Sequence, residues 1–88
     1  MKILREPIVD FANQMEERLE ELDGEKGTEG WLDPTCRISY LENKLQDKTR
    51  KLRNYFDDMD QIGVDKTCTD IANFAMMICH RLEMLRNM

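Results

Sequence analysis

The chain has 88 residues, a net charge of −5 and 35% charged residues, with both signs mixed along most of its length. That length predicts one domain, whose core covers only about 60–65% of the surface of the unfolded chain, so self-association is a natural way to bury more. The acidic balance argues against general nucleic-acid binding, and the lack of a run of about 18 apolar residues argues against a membrane span.

Pro7 opens the first predicted helix, where its missing N–H is harmless. Ile8, Phe11, Met15, Leu19 and Leu22 then recur at spacings of three and four on one face, giving a helix from about 7 to 22. Glu16, Glu17, Glu20 and Glu21 occupy the other face. Residues 23 to 30 hold three of the four glycines and read as a loop. Trp31 follows, either as a core or interface plug or as a lid for a flat ligand.

Asp33 and Pro34 read as the N-cap and first residue of a second helix, about 34 to 57. Ile38, Leu41, Leu45, Leu52 and Phe56 share its apolar band. Asp57, Asp58 and Asp60 oppose the helix dipole and help end it. Gly63 reads as a break, with Val64 and Asp65 as staple and cap of a third helix, about 65 to 87. Its apolar face combines Ile71, Phe74, Ala75, Ile78, Leu82 and Leu85. Cys68, Ala72, Met76, Met77, Cys79 and Met84 widen that face beyond a single stripe, which demands cover on two sides. The expected fold class is therefore all-α, an antiparallel bundle of three main helices assembled into a dimer or higher oligomer.

Cys36, Cys68 and Cys79 form no CxxC motif and no disulfide framework. Reduced cysteines acting as small apolar core residues fit best, and with no secretory signal at the start they predict a cytoplasmic protein.

Asp70 and Asn73 interrupt the apolar run of the third helix and share a stripe with Met77 and His80. A carboxylate there needs a cation or donors. It is either a structural partner for a lysine of the second helix or a metal or phosphate ligand. Lys44, Lys48 and Lys51, at i, i+4 and i+7 on that second helix, are either a solvated face or a polyphosphate-binding stripe. No Gly-rich phosphate loop, zinc spacing or nucleophile elbow is present.

Gly30-Trp31, a long helix, and then Asp70-Ile71-Ala72-Asn73-Phe74-Ala75-Met76-Met77-Ile78 resemble short MazG-like proteins of the all-α nucleoside triphosphate pyrophosphohydrolase superfamily. The resemblance covers roughly residues 28 to 84. It implies a helical bundle forming a homodimer or homotetramer. It also implies cleavage of nucleoside triphosphates to monophosphate and pyrophosphate, with Mg²⁺ held by a Glu-x-x-Glu and a Glu-x-x-Asp on two helices. Carried over position by position, only Asp70 matches, as the final metal ligand. Thr67 replaces the glutamate before it, and Lys48 and Lys51 fall where the first pair belongs.

Cations in place of metal ligands favour a non-catalytic, nucleotide-binding or protein-interaction module, with Lys44, Lys48, Lys51, Asn73 and Trp31 as candidate binding residues. The lysines either pair with Asp70 or bind phosphate directly. The alternative is a divergent Mg²⁺-dependent enzyme that draws its ligands from Asp70 with Glu42, Asp47, or the cluster Asp57, Asp58, Asp60 and Asp65.

Overall fold

A computed structural model describes residues 2–26 and 30–88, without the side chains of residues 25 and 26. Among these residues there are three α-helices and no strand: α1 (Glu6–Lys26), α2 (Ile38–Asp57) and α3 (Gln61–Arg86), with a single 3₁₀ turn at Gly30–Leu32. Among the described residues, no helix is long and apolar enough to cross a membrane.

The three helices form a bundle with α3 at its centre. Gly63 lies against the Tyr55 ring, Asp70 meets Lys48, and Arg81 meets the Cys36 carbonyl. As the chain ascends α3 its partners descend α2, so the two are antiparallel. Asp70 and Asn73 meet Arg18 and Met15 of α1 in the same reversed order, so α1 is also antiparallel to α3.

The boundaries differ from the expected ones for local reasons. Helix α1 begins one residue earlier, with the Arg5 carbonyl accepting from the Ile8 and Val9 amides, and it runs on through Asp23 and Gly24. The rest of the expected loop, residues 27–29, lies outside the described residues. Asp33 does not cap α2. Its Oδ1 accepts from both the amide and the hydroxyl of Thr35 at 2.8 Å, and its carbonyl accepts from the Cys36 amide. This Asx turn uses up the capping carboxylate, and α2 starts only at Ile38, after an extended Arg37.

The break between α2 and α3 falls at Met59, not at Gly63. Met59 has φ 55°, and the Met59 and Asp60 amides return to the Phe56 and Tyr55 carbonyls. These bonds form a Schellman motif with a methionine where glycine is usual. Asp60 then caps α3, its Oδ1 accepting from the Gly63 amide at 3.0 Å. Gly63 lies in the first turn of α3, and the Tyr55 ring leaves room there only for glycine: an added Cβ would lie 2.5 Å from Tyr55 Cδ1. Asp65 is an exposed helical residue that accepts from Gln61, and it caps nothing.

The face of α3 turned into the bundle is also not the one expected. Its buried residues are Thr67, Thr69, Asp70, Asn73 and Met77, whereas Ala75, Leu82 and Leu85 are exposed. On α2, Leu41 is fully covered, but Phe56 is 66% exposed and Tyr55 takes the inward place. Leu41 and Met77 are the buried hydrophobic residues among those described. Cys36 and Cys68 are partly covered, while Cys79 is exposed and is no core residue. The radius of gyration, 14.3 Å, exceeds the roughly 12 Å typical of a compact chain of this length.

Candidate functional site: a buried ion cluster beside a cavity

Asp70 sits midway along α3, its side chain 5% exposed. Burial of a lone carboxylate is costly, and two cations offset that cost. Arg18 of α1 donates from Nε to Oδ1 at 2.9 Å, and Lys48 of α2 brings Nζ to 3.2 Å from Oδ2. Each helix thus supplies one charged side chain to a single cluster. Arg18 also donates to Glu21 at 2.8 Å. Burial works against the Arg18 charge, but the hydrogen bonds and charges of Asp70 and Glu21 together outweigh it and push its pKa up.

Beside the cluster lies a cavity of about 350 Å³. Its apolar wall includes Leu19, Leu22, Leu41, Phe74 and Met77, with the Trp31 and Tyr40 rings. Its charged members are Arg18, Lys44, Lys48, Asp23 and Asp70. Lys44 Nζ stands 5.5 Å from the centroid of the Tyr40 ring, within cation–π range. Among the described residues Lys44 has no carboxylate partner.

One wall is the segment around Trp31, which α3 holds in place. Arg81 donates from Nη1 to the carbonyls of Trp31 and Cys36, both at 2.7 Å. The Trp31 ring meets His80 edge-on, with centroids 5.7 Å apart and planes at 69°.

The structure therefore brings Trp31, Lys44, Lys48 and Asp70 to one cavity. It does not bring Asn73 or Lys51 there. Asn73 is buried and turned to α1, with Nδ2 donating to the Met15 carbonyl at 3.2 Å and Oδ1 without a partner among the described residues. Lys51, three residues past Lys48, is exposed and absent from the cavity wall. Arg18, Tyr40 and Arg81 are site residues that spacing alone does not single out. For Arg18 a signal exists, since it is the lone cation between Asp10 and Asp23, bordering the apolar stripe of α1.

These residues do not fit the Mg²⁺ that the MazG resemblance implies. A hard cation needs several oxygen ligands, yet both Asp70 oxygens face cations and the neighbouring position is Thr67. Among the described residues, no three of His, Cys, Asp and Glu converge. The other candidate acids stand elsewhere in the fold, most of them engaged with other groups. Glu42 accepts from Gln46, Asp47 pairs with Arg50, and Asp57 pairs with Arg53. Asp58 ends α2 as its C-cap residue, Asp60 caps α3, and Asp65 accepts from Gln61. Comparison with family models, with curated proteins and with solved structures yields no match to this chain.

Proposed function

We propose that this chain is a non-catalytic protein of the MazG-like pyrophosphohydrolase fold that binds a nucleotide without hydrolysing it. The observation that carries the reading is the Lys48–Asp70 ion pair on the wall of the cavity. A lysine and an arginine hold the one carboxylate that matches the family's metal ligands, so the cluster is neutralised by side chains. The cavity beside it combines aromatic rings with the cationic Lys44, the pairing of an apolar body and few polar groups usual in small-molecule sites. The reduced cysteines suit a cytoplasmic setting.

Calorimetric titration with nucleotides, with and without Mg²⁺, and assay of the same samples for pyrophosphate test the reading. Binding that persists without Mg²⁺ and releases no pyrophosphate is the expected result. Mg²⁺-dependent pyrophosphate release would restore the enzyme alternative.

A specific observation also favours self-association, as a homodimer or homotetramer. The apolar side of α3, with Leu82, Met84 and Leu85, is exposed, as are Ile8 and Val9 of α1. A chain with so little fully buried apolar surface is expected to cover these residues with a second copy. Sedimentation at micromolar concentration should give a dimer or tetramer, and a strictly monomeric chain would sink this part of the reading.

A further inference from the structure

The charges around the cavity set what it can hold. Among its described wall residues, Arg18, Lys44 and Lys48 stand against Asp23 and Asp70, one net positive charge. Two of the cations, Arg18 and Lys48, are committed to Asp70. Lys44 remains, held over the Tyr40 ring with its ammonium free of any described carboxylate. One uncommitted ammonium matches one anionic group. Each further phosphoryl group of a polyphosphate adds negative charge, and among the described residues the wall offers no other uncommitted cation to meet it. The rest of the wall, with Trp31, Phe74, Leu22 and Met77, suits a flat, largely apolar body.

We propose that the cavity between the three helices takes a ligand with one anionic group on a flat body, a nucleoside monophosphate in preference to a di- or triphosphate, with Lys44 meeting the anion. This rests on the nucleotide-binding reading and narrows it. Asp70 then has a second consequence beyond holding the bundle together, because it occupies Arg18 and Lys48 and leaves Lys44 to meet the anion.

Trp31 is the chain's single tryptophan and lines the cavity, so its fluorescence reports occupancy directly. The experiment titrates the full chain with adenosine, guanosine, cytidine and uridine 5′-mono-, di- and triphosphates in the presence of a chelator. The monophosphate of at least one base is expected to bind most tightly, with affinity falling several-fold for each added phosphoryl group. Lys44→Gln should weaken that monophosphate about tenfold, the effect of removing one charge-assisted contact. Because Lys44 pairs with no described carboxylate, its removal should leave the melting temperature nearly unchanged. Asp70→Asn, where it folds, should shift the preference toward the triphosphate by adding a net positive charge. A triphosphate that binds as tightly as its monophosphate would overturn this inference while sparing the nucleotide reading. So would a monophosphate affinity that ignores Lys44→Gln. Failure of every nucleotide to bind would overturn both.

Discussion

Lys48 of α2 places Nζ 3.2 Å from Oδ2 of Asp70 on α3, while Arg18 of α1 takes the other oxygen of the same carboxylate. The cluster binds all three helices through one buried atom group, so its two kinds of member should respond differently to removal. Asp70→Ala leaves two cations facing each other in a half-buried site and should cost about 3 kcal/mol or more. Lys48→Met leaves Asp70 with Arg18 and should cost about 1–2 kcal/mol. Urea unfolding followed by circular dichroism measures both. Equal losses for the two variants would mean that Arg18 does not hold Asp70 alone.

Arg81 is the second long-range anchor, donating to the Trp31 and Cys36 carbonyls from one nitrogen. Hydrogen bonds from a charged donor contribute about 1.5–3 kcal/mol, and Arg81→Met should remove roughly that much. It should also free the segment carrying Trp31, shifting its fluorescence emission to longer wavelength. An unchanged emission maximum would show that the His80 contact holds the ring without Arg81.

The turn between α2 and α3 carries two substitutions of opposite sign. Met59 is 90% exposed with φ 55°, so its side chain contributes no burial and its backbone is strained. Met59→Gly should stabilise the protein by about 1 kcal/mol. Gly63→Ala should destabilise it by about 1–3 kcal/mol, since the added methyl meets the root of the Tyr55 ring. Thermal unfolding of the two variants reads both effects, and a stabilised Gly63→Ala protein would contradict the described contact.

Asp33 has its pKa lowered chiefly by the Thr35 amide and then by the Thr35 hydroxyl. Its folded pKa therefore lies below the unfolded value of about 3.9. The stability it contributes is present above that value and is lost as pH falls through the folded pKa. NMR titration of the Asp33 carboxyl carbon should show a midpoint below about 3.9. Thr35→Ala keeps the backbone bond and should return that midpoint only part of the way. A full return would make the hydroxyl the main cause.

Much of the architecture is legible from periodicity. Apolar residues at three- and four-residue spacing locate all three helices, because a helix must turn one side to its neighbours whatever its partners are. The end of α2 at Asp57 is legible in the acidic run that follows it. The starts of α2 and α3 are not. Asp33 and Gly63 each carry a strong local signal that a second interaction redirects, the Thr35 turn in one case and the Tyr55 ring in the other. For the site, the stripe of Asp70 and Asn73 and the row of Lys44 and Lys48 are visible in the spacing. Lys51 belongs to the same row, only about 20° round the helix from Lys44, but it stands roughly 10 Å further along the axis and does not line the cavity.

The sequence by itself determined that the chain is helical and that Asp70 would need a cation if buried. Only the tertiary structure decided which face of α3 turns inward. Counting apolar residues favours Ile71, Phe74, Ala75, Ile78, Leu82 and Leu85, yet the residues buried on α3 are Thr67, Thr69, Asp70, Asn73 and Met77. Hydrophobicity ranks faces, but it carries no direction between helices distant in the chain. The ion pairs do carry one, because Arg18 and Lys48 satisfy Asp70 only when α1 and α2 both approach its side of α3.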